Sequence, residues 1–182
     1  PCLWFNLCPA PDFDFIVAQI NPLSSIIRTK NPTIPTFYDI ITAKGFNMKY
    51  TDFGLVNTHD IFLDAIARNY AVPAFNFYNM ETLNAILAAA RETHSPVILA
   101  VSESALKYMG GDMLMGLIRG ANIKPDEKIA LHLDHGSSFD ACAHAIELGF
   151  SSVMIDASKQ KFADNIQISS QVADHAHKFG VS

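Results

Sequence analysis

From Tyr50 onward, short apolar runs alternate with stretches whose apolar positions recur at helical spacing. "THDIFLDAIARNY" places Ile61, Leu63, Ala65 and Ile66 on one side of a helix, with Thr58 expected as N-cap and Asp60 and Asp64 near its positive end. "AVPAFNF" (71–77) then reads as a strand. "METLNAILAAARETH" reads as a helix, with Met80, Leu83, Ile86, Leu87 and Ala90 lining its apolar face. "SPVILAVS" (95–102) is a buried strand, and "GGDMLMGLIRGA" a helix with Asp112 as its expected cap. "EKIALHLDHG" leads into "SSFDACAHAIELGF", a strand followed by a helix that Ser137 or Ser138 can cap and Gly149 can end in the left-handed conformation. "SSVMIDAS" and "FADNIQISSQVADHAHKFG" repeat the unit, the last helix closing on Gly180.

Four consecutive strand–helix units with continuous apolar strands predict a parallel sheet covered by helices, because parallel strands need crossovers and are buried on both faces. A doubly wound sheet would carry a Gly-rich phosphate loop after its first strand, yet "NFYNMET" contains no glycine. Of the two α/β architectures that remain, the (β/α)8 barrel gains from that absence over the doubly wound sheet. In such barrels the chemistry lies at the C-terminal ends of the strands. Polar residues fall there in every unit: Asn76 and Asn79, Ser102 and Glu103, Asp134 and His135, Asp156 and Ser158.

Residues 1–47 break this pattern. They hold six of the nine prolines (Pro1, Pro9, Pro11, Pro22, Pro32 and Pro35), which interrupt each run before a period is established. Three basic residues (Arg28, Lys30, Lys44) balance three acidic ones (Asp12, Asp14, Asp39), so the net charge of -5 lies downstream. The expected division is a Pro-rich head over 1–47 and a half-barrel over 48–182. One hypothesis makes Met48 the natural start; the alternative is an extension that packs on the surface.

Composition narrows the function. With 49% apolar and 17% charged residues the chain is a compact folder and not a disordered one. No basic block offers a footprint for nucleic acid or an anionic membrane, so a small-molecule ligand is expected. Cys2, Cys8 and Cys142 lack the even count of a disulfide framework and the paired spacing of a zinc knuckle, which fits a reducing cytoplasm. No apolar run reaches the roughly 18 residues of a membrane span.

The chemistry concentrates in "LHLDHGSS" (131–138). Alternation puts Ile129, Leu131 and Leu133 on one face and Ala130, His132 and Asp134 on the other, so Asp134 points inward at the rim. His135 is expected to begin the loop, where its imidazole can offer a nitrogen to a divalent metal such as Zn²⁺. An aspartate beside a metal ligand can move a proton on a substrate hydroxyl while the metal polarises a neighbouring carbonyl. His59, His94, His144, His175 and His177 fall on or at the ends of helices, away from this rim, and read as surface or packing groups. Lys107 and Arg119 read as solvated charges.

"PAFNFYNMETLNAIL", "SPVILAVSESALKYMGGD", "IALHLDHGSSFDACAHAIELGFSSVMIDAS" and "NIQISSQVADHAHKFGVS", in this order, resemble the first half of a class II, zinc-dependent fructose-bisphosphate aldolase. The likeness runs from about Thr51 to Ser182 and is carried above all by the strand ending in His-x-Asp-His-Gly. It implies that Asp134 is the acid/base that takes and returns the C4 hydroxyl proton, and that His135 is the first zinc ligand. It places Ser102 near a substrate phosphate and Asn76 in the site, with His132 and Asp156 orienting the metal and its ligand. Zinc would bind dihydroxyacetone phosphate through its ketone and hydroxyl oxygens and stabilise the enediolate. The implied reaction is reversible cleavage of fructose 1,6-bisphosphate to triose phosphates, in a homo-oligomer; tagatose 1,6-bisphosphate aldolases share the motif.

Lys159, Gln160 and Lys161 depart from the histidine and proline common in that loop of the family, which loosens the assignment of substrate. Two further zinc histidines and the phosphate-binding segments of the family have no counterpart here. The expectation is a truncated enzyme, inactive alone; the alternative is a catalytically silent half-barrel that serves as an assembly module. N-terminal sequencing of the natural protein should find Met48 first, and the coding frame should run on past Ser182. Residues before Met48 would overturn the first expectation, and a genuine stop codon after Ser182 the second.

Overall fold

A computed structural model describes residues 48–182. The Pro-rich head expected over 1–47, and the question of a start at Met48, lie outside the described residues. The elements follow in the order α1 (Thr58–Arg68), β1 (Ala74–Asn76), α2 (Met80–Thr93), β2 (Val97–Ser102), α3 (Glu103–Met109), α4 (Gly111–Gly120), β3 (Ile129–Gly136), α5 (Phe139–Leu148), β4 (Ser152–Ile155) and α6 (Phe162–Lys178). Short 3-10 turns occupy Tyr50–Phe53 and Pro125–Glu127. The four strands form one parallel sheet in the order β1-β2-β3-β4, as the strand–helix alternation predicts.

Register divides the sheet into two faces. Val97, Leu99 and Val101 of β2 and Ile129, Leu131 and Leu133 of β3 are all buried, in one core with Leu83 and Leu87 of α2, Leu106 of α3, Leu114, Met115 and Ile118 of α4, and Cys142 and Ala145 of α5. This is the layer that crossover helices must cover. On the opposite face Ala74, Ile98 and Ala130 stand level, and Ile61 of α1 packs on Ile98 and Ala130 with Val56 and Val72. Helix α1 thus covers the N-terminal end of the inner face. The next level holds Asn76, Ala100, His132 and Ser152, and the last pairs Ser102 with Asp134. The inner face therefore changes from apolar to polar toward the C-terminal ends.

Several local expectations change. Asn57, not Thr58, caps α1 by accepting the His59 N–H at 3.1 Å. Thr58 is buried instead and donates to the Ser182 hydroxyl at 2.8 Å, which joins the segment before β1 to the segment after α6. Asp112 lies within the first turn of α4, whose cap is Gly110 with φ +78°. Helix α3 was not expected; Ser102 starts it by accepting the Ala105 N–H at 3.2 Å, and Gly110 separates it from α4. Of the two candidate serines Ser138 caps α5, and Gly149 ends it with φ +103°. Helix α6 ends at Lys178 with Phe179 as its C-cap, one residue before the left-handed Gly180. Strand β1 spans three residues of the expected seven.

Two glycines set a contrast that stability measurements can read. A Cβ on Gly54 would lie 2.0 Å from the Ile123 carbonyl oxygen, at a φ of +73° that side chains rarely adopt. Gly116, exposed in α4, would place a Cβ in open space. Gly54→Ala should lower unfolding stability by about 2 kcal/mol or more, whereas Gly116→Ala should raise it by about 0.5–1 kcal/mol. Denaturant midpoints of the two variants check the order; equal midpoints would contradict it.

Candidate functional site

The C-terminal ends of β1, β3 and β4 bring Asn76, Asp134, His135 and Asp156 together as two adjacent hydrogen-bonded pairs. The Asn76 amide donates to Asp134 Oδ2 at 3.0 Å. His135 Nδ1 donates to Asp156 Oδ2 at 2.9 Å, and its Nε2 lies 3.7 Å from Asp134 Oδ1. The Ser158 N–H donates to Asp156 Oδ1 at 3.1 Å, so both oxygens of that carboxylate are held.

His135 was expected to begin the loop. It lies within β3, at a left-handed φ of +56°, where the register with β4 shifts between Leu133 and Gly136. Strict alternation would turn its side chain toward the helices, with Leu133. The bulge breaks that parity and swings the imidazole to the side of Asp134 and Asp156. Gly136 makes the bulge sterically feasible, since a Cβ there would meet Cys142 Sγ and the Met154 carbonyl oxygen at 2.9 Å each.

Electrostatics follow from these contacts. The hydrogen bond that His135 donates to Asp156, reinforced by the charge of Asp134, raises the His135 pKa above its ordinary value. Asp156 is held down at about 2, first by the Ser158 side chain, then by His135 and the Ser158 N–H. His132 lies one level below, half-buried, its Nδ1 2.8 Å from the Ser152 hydroxyl, and burial pushes its pKa down. It faces the interior and makes no hydrogen bond to Asp134 or His135.

With Nδ1 committed to a carboxylate, His135 presents Nε2 as its free ligand atom, an arrangement that fixes the tautomer and raises ligand basicity. Its side chain is 60% exposed, which leaves that nitrogen accessible. Among the described residues no three His, Cys, Asp or Glu groups converge as a metal cage. The residues present therefore suit one ligand position of a zinc site and not a complete set.

Ser102 stands level with Asp134 across the β2–β3 pair, but its hydroxyl caps α3 and lies 3.0 Å from the Ser104 hydroxyl. Asn79, also at the strand-end rim, is similarly used to cap α2 through the Thr82 N–H at 2.8 Å. Glu103 was read only as a rim residue; its carboxylate reaches across to accept the Ser137 N–H at 2.9 Å. The other histidines lie on or beside helices as expected, His175 packing edge-on against Phe139. Arg119 stacks over the Phe53 ring at 5.1 Å and is not simply solvated. A cavity of about 430 Å³ lined by Arg68, Arg91, His94 and Lys128 lies at the other ends of the strands, beside Ile129.

The His135–Asp156 pair generates a pH signature. Asp156 is depressed from 3.8 to about 2, so its contribution to stability is present above about pH 4 and is lost as pH falls toward 2. His135 is raised from 6.5, so its contribution is full below 6.5 and is lost as pH rises through its folded value. In chelator-treated protein the stability difference between the native chain and Asp156→Asn should therefore be largest between about pH 4 and 6.5. Thermal melts across pH check this, and a difference that does not vary with pH would contradict it.

Comparison with known proteins gives the family. The family model "Fructose-bisphosphate aldolase class-II" matches residues 56–182. The fructose-bisphosphate aldolase of Geobacillus stearothermophilus is 50% identical over 133 residues, which cover 70% of this chain and 46% of that protein. That of Treponema pallidum is 47% identical over 133 residues, covering 70% and 40%. The chain thus spans less than half the length of the curated relatives it matches. Among solved structures, the YdjI aldolase from Escherichia coli K12 superposes with a TM-score of 0.61 at 28% identity, over 70% of this chain and 50% of that one. The fructose-bisphosphate aldolase from Campylobacter jejuni has the same fold, with a TM-score of 0.56 at 23% identity over 71% and 46% of the two chains. Four strand–helix units with Asp134 and His135 at the sheet's C-terminal end, and a family match along most of the chain, lead to one conclusion: this chain belongs to the class-II fructose-bisphosphate aldolase family.

Proposed function

We propose that this chain supplies the first half of a zinc-dependent aldolase site acting on a sugar bisphosphate, with fructose 1,6-bisphosphate as substrate. The observation that supports this reading is the meeting of the Asn76–Asp134 and His135–Asp156 hydrogen-bonded pairs at one end of the sheet. Asp134 acts as the proton carrier. Its side chain is 27% exposed at the rim, close enough to solvent to exchange protons and fixed enough, through Asn76, to face a bound hydroxyl. In the cleavage direction it removes the C4 hydroxyl proton, and in condensation it returns it.

His135, oriented by Asp156, would hold the metal through Nε2, with the other ligands supplied from outside the described residues. Zinc bound there would polarise the substrate carbonyl and favour carbanion chemistry next to it. Asn76 both orients Asp134 and offers polar contact to substrate, and Ser102 stands beside the same opening. His132, paired with Ser152, lines the floor beneath. Substrates are triose phosphates and their aldol product, handled in the cytoplasm.

A chimera tests the reading. Residues 48–182 replace the matched segment of the Geobacillus stearothermophilus aldolase, and zinc-dependent cleavage of fructose 1,6-bisphosphate is measured. The chimera should be active; Asp134→Asn should lower kcat by about 10²–10⁴-fold with zinc retained. Asp156→Asn should weaken zinc by about 10–100-fold, and His135→Ala should lose it. An active chimera that tolerates Asp134→Asn would remove Asp134 from the chemistry, and an inactive, folded, zinc-loaded chimera would overturn the functional reading.

A further inference from the structure

We propose that Glu103 is a positioning residue for the site, fixing the Gly136–Ser137 peptide and through it the direction of the His135 imidazole. This rests on the reading of His135 as a metal ligand. Glu103 is the first residue of α3, immediately after Ser102, which stands level with Asp134. Its carboxylate crosses to the turn between β3 and α5, 34 residues on, and accepts the Ser137 N–H at 2.9 Å.

The other end of the same peptide is also held. The Gly136 carbonyl accepts the Asp156 N–H at 2.8 Å. The C=O of Gly136 and the N–H of Ser137 belong to one planar unit, so two hydrogen bonds from two different elements lock its rotation. That unit lies one peptide beyond His135, and Asp156 joins the two by bonding both the Gly136 carbonyl and the imidazole; His135 itself keeps a left-handed φ of +56°, a conformation a non-glycine residue keeps only when its surroundings impose it. One anchor is Asp156, which also grips the imidazole; the other is Glu103.

Gly136 is the weak point of the turn, because a residue without Cβ puts little steric barrier in the way of a peptide flip. Gly136 has no side chain of its own to pack, so the hydrogen bonds at its peptide add to the restraint given by the neighbours packed against it. The Glu103 pKa lies below the usual glutamate range because the Ser137 side chain and N–H stabilise the carboxylate, so the anchor is charged at neutral pH. A charge-assisted bond to a backbone N–H is stronger than a neutral one.

The experiment compares Glu103→Ala with Glu103→Gln, since glutamine keeps an acceptor oxygen and loses the charge. In the full chain, amide exchange at Ser137 should rise about 10-fold in Glu103→Ala and stay within about 3-fold of native in Glu103→Gln. In the chimera, Glu103→Ala should lower kcat by about 10-fold or more with KM within about 2-fold, and Glu103→Gln should restore most of it. A Glu103→Ala variant with native kcat, a Glu103→Gln variant no better than alanine, or a kcat loss that merely follows a fall in Tm would each overturn the proposal. Inactivity of the unsubstituted chimera would instead count against the aldolase reading, and the Ser137 exchange data would still decide whether Glu103 fixes the turn.

Discussion

The break in alternation at His135 is the constraint on which the site depends. A regular strand presents neighbouring side chains to opposite faces, so Asp134 and His135 could not serve one opening from an unbroken β3. A left-handed residue and a one-residue register shift put both on the same side. The surroundings follow from this. Gly136 must lack a side chain because Cys142 and the Met154 carbonyl occupy the space. Asp156 must sit at the end of β4, since that is where the displaced imidazole arrives, and the Gly136–Ser137 peptide is tied at both ends.

The apolar side of the sheet makes this local strain sustainable. Leu131 and Leu133 are fully buried against the helices on either side of the bulge's approach, and Ser151 secures the backbone at Leu131 by accepting its N–H at 2.9 Å. Such burial is worth about 2 kcal/mol per large side chain, comparable with the cost of one residue held at an unfavourable φ. The inner face is graded in the opposite sense. Ile98 and Ala130 lie under α1 at one end, His132 and Ser152 lie midway, and Asp134 stands at the rim. Charged groups therefore appear only where solvent can reach them.

Much of the fold was legible because parallel strands buried on both faces leave continuous apolar runs, and helices with an apolar stripe separate them. Alternation along "IALHLDH" placed Asp134 inward and Leu131 and Leu133 in the core. His135 reads from the sequence as the start of the loop, with its imidazole turned toward the space Asp134 faces; it reaches that space from within β3, because a bulge is a property of two strands, and the sequence of one strand does not display its neighbour's register. Helix α3 was missed because seven residues carry little periodicity; Ser102 ahead of Glu103 was the available signal. Glu103 and Ser137 are joined only by the tertiary fold, and Thr58 looked like a cap until a serine 124 residues away claimed its hydroxyl. Side-chain pairs within one element can be read from spacing, whereas those closing across the sheet cannot.

That Thr58–Ser182 contact has a kinetic side. It bridges 124 positions, and the N–H and hydroxyl of Thr58 both reach the same serine oxygen, at 3.0 and 2.8 Å. Closing a loop of that length carries an entropic cost of about 4 kcal/mol on the usual logarithmic scaling, far more than two hydrogen bonds return. The link therefore forms after the sheet has already drawn its ends together. It is a latch on a folded half-barrel and not part of its nucleus, and weakening it should speed unfolding while leaving the folding rate almost unchanged.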